Sequence, residues 1–262
     1  MPFVLYHSAY STCSQKVRLV LAEKGIAFTS HEISFGSEEQ LSPEYLQLNP
    51  NGVVPTLVHD GEPVTDSSCI MEYLDELSPH PALSPATPLG RARMRAWLRY
   101  FEEVPTAAAR VPSFQRVFLP LLHAIRSERE FDASADRRPI RKGFYRKMGS
   151  GRGFAPDEIE NSLEQLRQTV DRIEGALDRG PWIMGEQFTL AECCVAPLVD
   201  RLDDLGMRNL WTGRPRFNRW LERLRDRPSF AQAFYRGSRL SERPEFEAVM
   251  RHGHETSGGR EP

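Results

Sequence analysis

Long apolar runs are missing from this chain of 262 residues. The longest, such as Cys193 to Val199, fall far short of the roughly 18 residues that a membrane-spanning helix needs, and a spanning class is excluded. Charge of one sign is missing too. Thirty-four Lys and Arg stand against 36 Asp and Glu, a net charge of −2, which offers no global basic field for a nucleic acid. Cysteine is sparse: Cys13, Cys69, Cys193 and Cys194 lack zinc-site spacing, and an adjacent pair suits neither a disulfide scaffold nor a CxxC redox motif. All four are read as thiols, and no metal site is expected; His252 and His254 in the polar tail are read as unstructured. The opening Met-Pro-Phe-Val-Leu-Tyr-His has neither a basic n-region nor a long apolar h-region. It reads as the first element of the fold, and the cytoplasm is the expected compartment.

What is present describes an ordinary globular protein of about two domains: 40% hydrophobic, 10% aromatic and 27% charged residues. Phe3 to Tyr6 is a short apolar strand pattern, and Ser14 to Lys24 carries Val17, Val20 and Leu21 at helical spacing before Gly25. Ala27 to Ile33 alternates as a strand. Two further strand patterns, Pro55 to His59 and Pro63 to Thr65, flank the hairpin signal Asp60-Gly61, and Ser67 to Leu77 is amphipathic. The order βαβ, a connection, then ββα implies a small mixed sheet with helices packed on it. Residues 79–90 are Pro-rich and read as a linker. Beyond it only helical spacing recurs, through Ile159, Leu163, Leu166, Val170, Ile173 and Leu177 and again through Phe217, Trp220, Leu221 and Leu224. The expected fold class is therefore α/β plus all-α, with a domain over residues 1–78 and a helical bundle over 91–240. Thr189-Leu-Ala-Glu192 reads as a capping box. Residues 241–262 turn polar and Gly-rich and are expected to be loosely held.

Three segments carry candidate chemistry. Tyr10-Ser-Thr-Cys-Ser-Gln-Lys-Val-Arg18 lies between the first strand and the first helix, where unpaired amides and the positive end of the helix dipole favour an anion. A thiolate is one such anion. Lowering a thiol pKa of roughly 8.5 by about two units needs ~2.7 kcal/mol, which one hydroxyl hydrogen bond plus a helix end can supply; a plain N-cap role for Ser11 or Ser14 accounts for the same residues. In Asn49-Pro-Asn-Gly-Val-Val-Pro-Thr56, Pro55 opens a strand, and a cis Val54-Pro55 bond would free the Val54 backbone to pair with a bound peptide, whereas a trans bond is the ordinary case. In Thr65-Asp-Ser-Ser68, Asp66 or Ser67 caps a helix whose exposed amides could hold a carboxylate.

Taken together, these segments resemble the glutathione transferase superfamily over nearly the whole chain. The resemblance implies a thioredoxin-like N-terminal domain and an all-helical C-terminal domain, glutathione as cofactor, a homodimer, and a hydrophobic or aromatic electrophile as substrate. Ser11-x-Cys13-Ser14-x-Lys16-Val17-Arg18 resembles the active-site motif of the zeta and tetrachlorohydroquinone-dehalogenase-like classes, Val54-Pro55 the cis-proline strand start, and Asp66-Ser67 the γ-glutamyl-binding pair. By this resemblance Ser11 donates to the glutathione sulfur, Val54 pairs with the cysteinyl unit, Ser67 and Asp66 clamp the γ-glutamyl group, and Gln40 is a lesser candidate for the glycyl carboxylate. Tyr6 is a runner-up for the sulfur, although its place in a strand pattern suggests core packing. The family usually has Asp where this chain has Glu192.

The region Arg91 to Phe154, with an inserted stretch at about 111–155, is similar to the long inserted region of bacterial glutathione-dependent β-etherases, in which a serine matching Ser14 is the nearer match. Aryl ether cleavage is the expected reaction. Cys13 raises a second one, because dehalogenase-like relatives use a cysteine there to resolve a glutathionyl intermediate by disulfide exchange; a non-catalytic relative is a third reading. The cluster Arg137, Arg138, Arg141, Lys142, Arg146, Lys147 and Arg152, interrupted by Phe144 and Tyr145, is either a solvated face or a lid that packs aromatics on the substrate.

Overall fold

The computed structural model describes residues 2–149 and 153–255. Strand β1 (Phe3–His7) leads into helix α1 (Thr12–Lys24), then β2 (Thr29–Glu32), and a 3₁₀ turn (Glu39–Leu41) and α2 (Pro43–Leu48) fill the polar stretch before β3 (Thr56–His59), β4 (Glu62–Thr65) and α3 (Ser67–Leu77). The four strands form one mixed sheet in the order β2-β1-β3-β4, with β1 and β2 parallel and the other pairs antiparallel. A parallel pair cannot be joined by a tight turn, so α1 is the crossover. The hairpin closes at Asp60-Gly61, whose φ values of 53° and 88° are those of a primed turn. Strand β2 is shorter than the alternation from Ala27 to Ile33 implied. It is an edge strand with all four residues exposed, so no buried face enforces the pattern.

Past the linker only helices follow among the described residues: α4 (Pro88–Glu103), α5 (Pro105–Ser113), a π-helical turn (Phe114–Phe118), α6 (Leu119–Ile125), α7 (Glu128–Asp136), α8 (Lys142–Gly149), α9 (Pro156–Ala176), α10 (Leu190–Asp204), α11 (Pro215–Arg225), α12 (Pro228–Ala233) and α13 (Pro244–Glu255). None is long and apolar enough to cross a membrane. The linker is pinned at both ends. Lys24 Nζ bonds the Asp75 carboxylate and the Ser78 and Pro81 carbonyls, Asp75 Oδ1 accepts from the Leu83 amide at 2.9 Å, and the Leu83 carbonyl accepts from Leu190 at the head of α10. There the capping box is complete: the Thr189 hydroxyl accepts from the Ala191 amide, while Glu192 accepts from the Thr189 amide at 2.9 Å and the Ile183 amide at 2.6 Å.

Helix α13 corrects the expectation of a loose tail from Ser241. Phe246 and Met250, one helical turn apart, are buried against the main core, a pair too short to register in a segment of polar composition. The side chains of His252 and His254 lie outside those described.

Helix α1 is buried on nearly every side, between the sheet, α3, α10 and α12. Its apolar residues pack as their spacing implies, but its polar ones are buried too, and each has a partner. Gln15 donates to the Ser238 carbonyl (2.9 Å), Lys16 pairs with Glu102 (2.6 Å), and Arg18 donates to the carbonyls of Ser8, Ala9 and Ala233. Arg18 also donates to His7 Nδ1 at 3.2 Å, which places the imidazole proton on Nε2, 2.7 Å from the Ser30 hydroxyl.

Burial, and then the Arg18 charge, lower the pKa of His7 to about 4. The unfolded imidazole, near 6.5, takes up a proton where the folded one does not. The stability this confers is present above about pH 6.5 and is lost as the pH falls towards 4, by an amount of order 3 kcal/mol. The urea midpoint of the protein is therefore expected to drop between about pH 7.5 and pH 5, and to drop distinctly less in His7→Gln; equal drops in the two proteins would show that another group carries the acid limb.

Candidate functional site

The first turn of α1 separates the two serines of its motif. Ser11 is the N-cap: its half-buried side chain accepts from the Ser14 amide at 3.3 Å, and its own hydroxyl hydrogen stays uncommitted. The Thr12 and Cys13 amides, in the turn where a helix leaves donors unpaired, have no partner among the described residues. Ser14 is 0% exposed, and its hydroxyl accepts from the Ser8 amide at 3.3 Å, so it braces the loop from beneath. Cys13 is half-buried between them.

Directly below sits a charge that helical periodicity gave no reason to expect indoors. Lys16 has no exposed side-chain surface, and its ammonium lies 2.6 Å from Glu102 of α4, whose Oε1 also accepts from the Ser68 hydroxyl at 2.7 Å and the Cys194 thiol at 3.6 Å. Burial alone would lower the Lys16 pKa, yet neighbouring Cys194, Cys13 and Glu102 raise it above the usual lysine range. Because burial pushes Cys194 itself up to about 12, Glu102 is the operative partner at neutral pH. Its carboxyl is held low, the Lys16 charge and the donated hydrogen bonds outweighing burial. The result is a buried ammonium on α1, kept charged by Glu102 and tied through Ser68 to the start of α3. Glu102 carries no motif, and only the fold brings it to Lys16.

The loop before β3 is equally constrained. The Val54-Pro55 bond is cis. Tyr45 donates to the Val53 carbonyl (2.6 Å), and Asn49 Nδ2 bonds that carbonyl (2.9 Å) and the Thr56 hydroxyl (3.0 Å). These bonds fasten the loop on both sides of Val54, whose own amide and carbonyl pair with nothing among the described residues. Tyr6 packs edge-on to Tyr45 in the small cluster with Ile33 and Val54, the core role its strand position suggested.

At the head of α3, Asp66 adopts a left-handed φ of 69° and caps the helix, Oδ1 accepting from the Ser68 and Cys69 amides at 3.0 and 3.1 Å. Ser67 keeps both its amide and its hydroxyl unpaired among the described residues. Gln40 is 2% exposed and its Oε1 has no hydrogen-bond partner among the described residues.

The basic stretch of residues 137–147 is folded and largely paired. Arg137 bonds Glu38, Arg146 and Lys142 reach Asp136 at 2.5 and 2.9 Å, and Lys147 bonds Glu158; Arg152 lies outside the described residues. Phe144 joins a second small core with Phe131, Met148 and Phe154, so this aromatic is spent on the segment's own packing. The aromatic wall beside the α1 turn comes from elsewhere. Tyr10 makes edge contacts with Phe35 and Phe246, and Phe118 packs against both Tyr10 and Phe246. No sequence pattern links residues so far apart.

Two family models match the chain, that of the glutathione S-transferase N-terminal domain over residues 10–77 and that of the glutathione S-transferase C-terminal domain over residues 156–223. The chain is 30% identical over 221 residues to the stringent starvation protein A homolog of Histophilus somni, with 84% of each chain covered. It is 26% identical over 246 residues to protein LigF of Sphingobium sp. strain SYK-6, covering 91% of this chain and 95% of that one. A further relative is glutathione S-transferase TCHQD of Arabidopsis thaliana, 26% identical over 241 residues, with 88% of this chain and 89% of that one covered. The crystal structure of β-etherase LigF from the same Sphingobium strain superposes with a TM-score of 0.80 at 27% identity, covering 89% of this chain and 99% of that one.

Neutralising one partner of the Lys16–Glu102 pair strands the other. Glu102→Gln leaves a buried ammonium without its counter-charge and is expected to lower stability by about 3 kcal/mol, with most of the loss recovered in the double variant Lys16→Met/Glu102→Gln. Urea unfolding of the four proteins of this cycle measures it; additive losses would mean that the two side chains are not energetically coupled.

Proposed function

Because the chain belongs to the glutathione S-transferase family, we propose that it lowers the thiol pKa of glutathione at the start of α1 and directs the sulfur at an aromatic ether. It is a glutathione transferase, and glutathione is its cofactor and co-substrate. The observation that carries the mechanism is the first turn of α1, where an uncommitted Ser11 hydroxyl hydrogen and two unpaired amides stand over the buried ammonium of Lys16. Each of these stabilises negative charge on a nearby sulfur. The free backbone of Val54 suits the cysteinyl unit, and Ser67 with Asp66 suits the γ-glutamyl group: Ser67 donates to its carboxylate, and the exposed Asp66 carboxylate faces its ammonium.

Glutathione supplies the sulfur nucleophile; a carbon–sulfur bond forms as the carbon–oxygen bond to the aryloxide breaks, and the aryloxide leaves. Ser11 lowers the thiol pKa by donating to the sulfur, and the half-buried rings of Tyr10 and Phe118, backed by the buried Phe246, take the arene. Similarity to LigF, named as a β-etherase, supports aryl ether cleavage as the reaction. The family relationship favours a homodimer, and a cytoplasmic location accords with the want of a membrane-spanning helix among the described residues.

A specific observation favours each of two other readings. The half-buried thiol of Cys13 in the same turn suits reductive dehalogenation or isomerisation with glutathione, and similarity to a stringent starvation protein A homolog suits a non-catalytic role.

Titration with glutathione, followed by the ultraviolet absorbance of the bound thiolate, tests the central step. Binding with the thiol pKa lowered by about two units is expected; binding with an unshifted pKa, or none, defeats it. Ser11→Ala is expected to raise the apparent pKa in the pH profile of kcat/KM by about one unit, whereas Ser14→Ala should leave it in place and cost about 1 kcal/mol of stability. The reverse pattern would make Ser14 the activating hydroxyl. Loss of haloarene dehalogenation in Cys13→Ser, with aryl ether turnover largely intact, would favour the thiol-exchange reading.

A further inference from the structure

Helix α5 carries a cation that the fold leaves unsatisfied. Arg110 is half-buried, yet its guanidinium donates no hydrogen bond and meets no carboxylate among the described residues. Its contact is the Phe144 ring, whose centroid lies 5.9 Å from the guanidinium carbon. Phe114, one helical turn on, meets that same ring edge-on at 4.9 Å and touches Phe118 at 5.1 Å, and Phe118 packs on Tyr10 at 6.1 Å. Arg110, Phe114 and Phe118 therefore line one face, which runs up to the loop that opens α1. Burial and the Arg141 charge lower the Arg110 pKa, while Cys13, Tyr145 and Glu102 raise it, so the guanidinium lies within the field of the thiol turn. Arg141, at the start of α8, has no ion pair among the described residues either. Glu102, the carboxylate that reaches Arg110, is already bonded to Lys16 at 2.6 Å and Ser68 at 2.7 Å. Two cations thus stand together beside the reacting sulfur's place, and like charges so placed call for an anion.

From this placement we infer that the electrophile carries a carboxylate, and that Arg110, with Arg141 beside it, binds that carboxylate while the arene lies against Tyr10 and Phe118. The inference rests on the glutathione reading above and narrows its substrate to aromatic acids. Glutathione lies along the sheet edge, with candidate donors for its own two carboxylates at Ser67 and Gln40; Arg110 belongs to the helical domain, on the side that receives the electrophile. A guanidinium offers a planar fork of donors that matches a carboxylate, and a half-enclosed site strengthens the pair relative to open water. The carboxylate keeps its charge while the carbon–oxygen bond breaks and the carbon–sulfur bond forms. Arg110 therefore holds the ground state and the transition state alike, and it is a specificity residue that acts on KM.

Isothermal titration with two conjugates of equal shape, S-(4-carboxybenzyl)glutathione and S-(4-carbamoylbenzyl)glutathione, tests this without turnover. The unmodified protein is expected to bind the carboxylate roughly 10- to 100-fold more tightly, the range of a charge-assisted pair of hydrogen bonds. Arg110→Met, which keeps an unbranched stem against Phe144, should erase most of that preference and shift the affinity for the carbamoyl conjugate by less than about threefold, which certifies the fold of the variant. Arg110→Lys, which keeps the charge but loses the fork, should recover only part. A preference that survives Arg110→Met, a loss that falls equally on both conjugates, or an unmodified protein that does not tell them apart overturns the inference and leaves the glutathione reading standing. A protein that binds neither conjugate nor glutathione itself removes both.

Discussion

The burial of α1 is the constraint on which the rest of the structure depends. A helix at the surface of a sheet needs one apolar face, but α1 is enclosed by the sheet on one side and by α3, α10 and α12 on the others. Its long polar side chains must then find partners indoors, since an unpaired charge in the interior costs several kcal/mol. Arg18 does so without any carboxylate, by donating to the carbonyls of Ser8, Ala9 and Ala233. The site loop and the last part of the helical region are thereby joined through one guanidinium. Lys16 does so through Glu102, and the α3 terminus is drawn in through Ser68. The amides that receive an anion are therefore held from behind by charges that belong to the fold itself.

On the proposed mechanism this arrangement lets the turn act on a thiol without a base of its own. Ser11 lends an oxygen to the helix and leaves its hydrogen uncommitted, so on the proposed mechanism capping and activation are two uses of one hydroxyl. The ammonium of Lys16 is kept charged by Glu102 and contributes field without direct contact. Ser14, by contrast, spends its oxygen on the Ser8 amide inside the loop. Two serines three residues apart are equivalent on paper; the helix geometry puts one at the surface and the other beneath it.

Much of this was legible from residue order. The primed turn at Asp60-Gly61, the capping box at Thr189, the stop at Gly25 and the linker prolines are local signals, and local signals survive folding. The cis bond at Val54-Pro55 was legible only through resemblance, since proline alone favours trans. The Glu102 partner of Lys16, the convergence of Tyr10, Phe118 and Phe246, and the docking of α13 were not legible, because each is made by elements far apart in the chain. The segment 111–155 was legible only in part. Of its two readings, a solvated face or a lid that packs aromatics on the substrate, the first describes the exposed Arg137, Lys142 and Arg146 and the half-buried Lys147, which are paired with Glu38, Asp136 and Glu158, whereas Phe144 builds a local core.

That pairing also changes what the segment can be. A lid that opens freely would have to give up the bonds from Arg126, Ser134 and Arg137 to Glu38 together with the contact of Pro139 against the Gly52 loop. Several charge-assisted bonds on one half-enclosed carboxylate, each worth more than a neutral hydrogen bond, make a fixed wall a better description than a flap. A fixed wall selects by shape and by where its unspent donors fall.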